Sequence, residues 1–160
     1  MSNRKVLTNL PRVTSSAPAW AKLSRIDNLE SWVFLYMPDQ IQERTTFSYR
    51  DSGGMGYIPN QILDRGSKEL TINNLTISTK YERRSLQDYA RSLENLGKPI
   101  PQLYSPPVLI LTWGDRVLFK YCVLTSVQVT QQDWFSNGDL ATATLSFSLK
   151  EVPKDQVVKI

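Results

Sequence analysis

The sequence predicts a mainly β domain carrying one helix, an α+β chain in which sheet dominates. Three observations predict it. Apolar and polar residues alternate through much of the second half of the chain, most clearly over Leu140 to Leu149. Only one segment, Ser85 to Gly97, has helical spacing together with start and stop signals. The 160 residues are 41% hydrophobic and 21% charged, ordinary globular values in a length that suits one domain with a real core.

The elements follow in order. Trp32 to Met37 is apolar throughout and is stopped by Pro38 and Asp39, so it reads as a strand. Arg44 to Tyr49 reads as the next, with Phe47 and Tyr49 on one face. Gly53, Gly54 and Gly56 then break the pattern. A phosphate-binding loop needs Lys-Ser or Lys-Thr after its last glycine, and Tyr57-Ile58 stands there, so a surface loop is expected. Leu70 to Thr79 is a strand in which Leu70 and Ile72 have one parity and Leu75 and Ile77 the other. That switch predicts a bulge or bend at Asn73-Asn74.

The helix starts at Ser85, a good N-cap, with Asp88 three residues on. Leu86, Tyr89, Ala90, Leu93 and Leu96 form its apolar stripe, with Tyr89 read as core, and Gly97 and Pro99 end it. Val108 to Trp113 is apolar on both faces and reads as a central strand. Gly114-Asp115 makes a tight turn into Arg116 to Thr130. In that strand Val117, Phe119, Tyr121, Val123, Val127 and Val129 share one parity; Leu118, Cys122 and Leu124 occupy the other before it turns polar. It is expected to be buried on both faces first and half-exposed later. Asn137-Gly138 is the strongest hairpin signal, since both residues accept positive φ. In the return strand Ala141, Ala143, Leu145, Phe147 and Leu149 share one face, and Thr142, Thr144, Ser146 and Ser148 the other. That second face is polar but uncharged. A neighbouring subunit covering it and an ordinary wet face are both open readings.

Charge is unevenly placed. The formal net charge is +4, yet all 15 acids lie after residue 25. Five of the 19 basic side chains, Arg4, Lys5, Arg12, Lys22 and Arg25, precede them, leaving 14 against 15 in the remainder, a net of −1. The expected organisation is a basic, flexible arm over 1–25, one β domain over 26–153 and a short tail over 154–160. The arm is either a solvated tail or a segment that orders on an acidic neighbour. No apolar run follows Arg4 and Lys5, so a secretory signal is not expected. No stretch reaches the roughly 18 apolar residues of a membrane helix, and membrane insertion is not expected. One cysteine, Cys122, excludes an intrachain disulfide and suits a reducing compartment.

Catalytic chemistry is scarce. The chain has no histidine, hence lacks the commonest general base and neutral metal ligand. Cys122 alone cannot build a structural zinc site and, in an apolar strand, reads as core. The expectation is a non-enzymatic protein with no catalytic, cofactor-binding or metal-binding residues. The rival from another class is a β-barrel that binds single-stranded nucleic acid, suggested by a pI near 9.2 and seven tyrosines. In the body only Lys80, Arg83 and Arg84 cluster, which also suits the polar approach to the helix.

A family resemblance lies in the second half. Pro106-Pro107-Val108 followed by Trp113-Gly114 resembles the Pro-Pro-Val-x-x-x-x-Trp-Gly run of contractile injection system tube-type proteins. Val123 to Thr130 is similar to that family's following strand, Phe135 and Gly138 to its hydrophobic-Phe pair and turn, and Phe147 with Lys150-Glu151 to its closing strand. Upstream, Phe34 to Ile41 and Leu70 to Thr79 are similar to earlier segments, so the likeness spans most of 31–152. Tyr121-Cys122 stands where the family often has a glycine, the turn at Ser136 to Asp139 is shorter, and the peptidoglycan-binding-type (LysM) module of many relatives is not in this sequence.

The resemblance implies a tail-tube-like β-sandwich or split barrel and a phage tail or injection-machine component. It would be a baseplate subunit in a hexameric ring that links the central hub or spike to the tail tube and templates its first ring; the main tail-tube protein is the alternative. Implied partners are copies of itself, the tail-tube protein, the hub or spike and the baseplate wedge proteins. DNA would pass through the channel without sequence specificity. Thr142, Thr144, Ser146 and Ser148 would line that channel, and the arm would reach a neighbour in the ring stack. The implied location is the virion tail baseplate, assembled in the host cytoplasm.

Overall fold

The computed structural model describes residues 13, 18–50, 61–101 and 104–153. Among the described residues seven strands and one helix follow one another as β1 (Ala21–Arg25), β2 (Ser31–Val33), β3 (Gln42–Arg50), β4 (Gln61–Ser78), α1 (Gln87–Asn95), β5 (Leu109–Trp113), β6 (Arg116–Trp134) and β7 (Leu140–Glu151). The strands form one open antiparallel sheet in the order β2-β1-β5-β6-β7-β4-β3. The glycine-rich loop at 53–56 lies outside the described residues.

The sheet is strongly curled. β2 stands four places from β7, about 19 Å away in a flat sheet. Yet the Trp32 and Phe34 rings each lie 5.8 Å from the Phe147 ring, centroid to centroid. The concave face therefore closes around a single core containing Leu23, Leu70, Ile77, Leu109, Leu111 and Phe147. Helix α1 fills the concave side with Ala90 and Leu93 buried. The Leu86 N–H donates to the Leu140 carbonyl at 2.8 Å, which ties its start to β7.

Several expectations are refined. Ala21–Arg25, placed at the end of the flexible arm, is a sheet strand between β2 and β5. Ala21 and Leu23 alternate into the core there, a period too short to stand out among Lys22, Ser24 and Arg25. The strand expected over Trp32 to Met37 ends at Val33. The helix begins one residue later than expected: Leu86 has N-cap position, though the Ser85 hydroxyl still accepts the Gln87 N–H at 3.2 Å. Gly97 is not left-handed; a Cβ there would sit 3.3 Å from Leu124 Cδ2, so close packing explains the glycine.

Bulges decide which side chains point inward. The register shifts between Ile72 and Leu75, with Asn74 at φ 59°, as the change of parity at Asn73-Asn74 predicts. The extra residue returns Leu75 and Ile77 to the face of Leu70 and Ile72, and all four are buried. Strand β6 behaves likewise. Phe119 pairs with Leu111 but Cys122 with Leu109, and Leu124 pairs with Leu149 but Ser126 with Ser148. Each shift rotates the strand, so Phe119, Cys122 and Leu124 are buried, and Val127 and Val129 then pack on the core. Val117 is 58% exposed, so the strand is not buried on both faces at its start.

The turns follow their glycines. Gly114 adopts φ 61° between β5 and β6, and Gly138 φ 92° between β6 and β7. Asn137 does not share the positive φ; its side-chain oxygen accepts the Asp139 N–H at 3.0 Å instead. That Asx-type contact shapes the turn by another route.

Candidate assembly face

The outer side of β7 is the most distinctive polar surface of the fold. Thr142, Thr144, Ser146 and Ser148 project from it at alternate positions and are all half-buried. β-Branched threonine suits such a pleated, half-covered surface. Each residue meets a polar partner from β4. Thr142 and Ser78 hydroxyls lie 3.0 Å apart, Thr144 and Thr76 3.1 Å, and Ser148 and Thr71 3.3 Å. The Ser146 hydroxyl accepts the N–H of Asn74 at 3.2 Å, at the bulge. On the other flank Ser126, Gln128 and Thr130 of β6 stand opposite Ser148, Ser146 and Thr144. Three adjacent strands thus share a ladder of hydroxyl and amide side chains.

Charge is confined to the ends of this ladder. Lys80 Nζ lies 3.2 Å from an Asp133 carboxylate oxygen at one end, where Asp133 pairs with Thr142. Glu69 stands opposite Lys150 at the other. Between them the surface has donors and acceptors largely paired with each other and no ionised side chain. It can glide over or pack against a polar surface, but offers no acid or base.

The residues of the family resemblance serve the core and its turns. Pro107 is fully buried before β5 and Pro106 is exposed. Trp113 packs edge-on against Phe34 at 5.7 Å, and Gly114 makes the next turn. Phe135 closes the β6–β7 loop: its N–H donates to the Asp139 carbonyl at 2.8 Å, and its own carbonyl accepts the Gly138 N–H at 2.9 Å. Phe147 packs edge-on against Trp32 and Phe34 in the aromatic cluster, while Lys150 and Glu151 are exposed at the end of β7.

The expected docking arm divides. Arg4, Lys5 and Arg12 lie outside the described residues. Lys22 and Arg25 belong to β1. Arg25 is engaged within the fold: its Nε donates to Asp27 Oδ1 at 2.8 Å, and a second guanidinium nitrogen lies 3.9 Å from Glu30. Hydrogen bonding to Asp27 raises the guanidinium pKa and lowers that of the carboxyl. Arg25 thus clamps the β1–β2 turn instead of extending an arm, because the turn brings Asp27 and Glu30, two and five residues on, back to its guanidinium.

Cys122 is fully buried, and its thiol donates to the Leu109 carbonyl at 3.4 Å. Burial, helped by Glu151, pushes the thiol pKa up to about 12. Among the described residues no three acidic or cysteine side chains converge as a metal-ligand set. Lys80, Arg83 and Arg84 are exposed near the turn before α1, with Lys80 engaged by Asp133.

Sequence reasoning missed the β4 half of the ladder and the polar work of Tyr89. Thr71, Thr76 and Ser78 were visible as uncharged residues, but the bulge between them hides their common face. No protein-family model matches the chain, and no curated protein matches it. The molecule is defined by its fold and surface as a curled-sheet β protein with an uncharged hydroxyl face.

Proposed function

We propose that this chain is a non-enzymatic structural subunit of a contractile phage tail or related injection machine. It acts in a ring that links the central hub or spike to the tail tube and templates the first tube ring. The observation that carries this reading is the uncharged ladder on β4, β6 and β7. A surface that lines a conduit for a polyanion works best without fixed cations, which would hold the cargo, and without concentrated anions, which would repel it. The ordered succession of residues from Pro106 to Glu151 supports the same reading. A tail-tube-like fold is part of the proposal, and a curled open sheet with one helix in its concavity suits it. The mechanism is geometric: copies close into a ring, present the ladder to the channel and dock between hub and tube.

Charge-introducing substitutions test it. Thr142→Lys with Thr144→Lys should abolish assembly or passage of DNA in an infectivity assay; unaltered infectivity counts against the reading. A cryo-EM map of the intact particle separates the alternatives. One ring of this chain between spike and tube supports the adaptor, and density in every tube ring makes it the main tube protein. Absence from the particle, with salt-dependent single-stranded DNA binding by the body, sinks the tail reading.

A further inference from the structure

Tyr89 joins helix α1 to the β2 edge of the sheet through its ring, its main-chain carbonyl and its hydroxyl. Its ring stacks on Trp32 with centroids 4.7 Å apart. Its main-chain carbonyl accepts the Trp32 indole N–H at 3.1 Å. Its hydroxyl donates to the Val33 carbonyl at 2.7 Å and accepts the Leu35 N–H at 3.0 Å.

The last pair of bonds falls at a revealing place. Among the described residues strand β2 ends the sheet and pairs with β1 alone. The Phe34 N–H donates inward, to the Ala21 carbonyl at 2.9 Å. The Val33 carbonyl therefore faces away from β1, and just past the end of β2 the Leu35 N–H faces the same way, both towards the Tyr89 hydroxyl. Those are the groups an added strand engages. In a parallel ladder, one incoming residue donates to the carbonyl on one side of its partner and accepts the N–H on the other. The Tyr89 hydroxyl makes that same pair of bonds around Phe34. Val33 and Leu35 are also apolar and 49% and 52% exposed, so an open edge here would favour pairing with another chain. Burial pushes the phenol pKa up, so the hydroxyl keeps its proton and remains a donor.

We infer that the Tyr89 hydroxyl is an edge guard: it occupies the Val33 carbonyl and the Leu35 N–H, at and just past the end of β2, which would otherwise accept a strand from a second copy of this chain. The role is independent of the proposed function. It belongs to negative selection against a wrong contact, and one oxygen does it because a hydroxyl is both donor and acceptor.

Tyr89→Phe removes the oxygen and keeps the stacked ring. Sedimentation equilibrium of the full chain should show the variant associating at a concentration at least about tenfold below wild type, a change worth about 1.4 kcal/mol. Adding Val33→Pro, which removes an outward N–H from the edge, should return it to wild-type behaviour. Hydrogen exchange gives a second reading: the Leu35 amide should be protected in wild type and lose that protection in the variant. If Tyr89→Phe fails to fold, the protection of the Leu35 amide in the wild-type chain still decides the inference. Mass curves that superimpose on wild type, association that persists with Val33→Pro, or a Leu35 amide unprotected in wild type would each overturn the inference.

Discussion

At the scale of single residues, Phe147 and Cys122 show how burial sets behaviour. Phe147 is 1% exposed and touches both Trp32 and Phe34 across the curl. Phe147→Ala should cost about 3–5 kcal/mol, read as a lower urea midpoint with an unchanged slope. Cys122 gives a pH effect with a definite sign. The folded state holds the thiol proton up to about 12, while an unperturbed thiol releases it near 9.0. The unfolded chain therefore binds fewer protons in that window, and stability falls as pH rises from 9.0 towards 12. Below 9.0 the contribution is fully present. Cys122→Ser should reduce this alkaline slope in stability measured against pH, and native Cys122 should resist alkylation until the chain unfolds.

At the scale of elements, β1 is the strand whose importance its sequence conceals. It pairs with β2 and β5 and supplies Ala21 and Leu23 to the core. Deleting residues 1–25 should therefore abolish cooperative thermal unfolding, because the strand that joins β2 to β5 is lost. The strands with long alternation were legible in sequence: the β7 pattern of Ala143, Leu145, Phe147 and Leu149 inward against Thr144, Ser146 and Ser148 outward is what the sheet contains. The face of β6 was not legible, because a bulge inserts a residue without any obligatory glycine or proline to mark it. Asn73-Asn74 could be read because the apolar residues on either side changed parity.

At the scale of the whole molecule, the proposed assembly role and folding stability make separable predictions. The outer ladder is half-buried and distant from the concave core, so one charge there disturbs mainly what packs against it. Thr144→Lys should change folding stability by no more than about 1 kcal/mol, the scale of one cross-strand pair. The same variant should lose assembly into particles. A variant that unfolds instead would show that the ladder serves the fold and not a neighbour. Under the two proposals, this variant and Tyr89→Phe are opposite perturbations: the first would remove a contact between subunits, and the second would admit an unwanted one.

By itself the sequence determined the class of the fold, the single helix and the alternation of the long strands. These follow from local periodicity, turn chemistry and composition, which any neighbouring stretch of chain reveals. It also set the charge pattern, with the basic excess before residue 26. Tertiary structure alone decided the rest. The curl that brings Trp32 to Phe147, the match of Thr76 to Thr144 and the seat of the Tyr89 hydroxyl on β2 all join residues far apart in the chain. Such contacts depend on strand order and register, and a one-residue slip in register exchanges one face for the other.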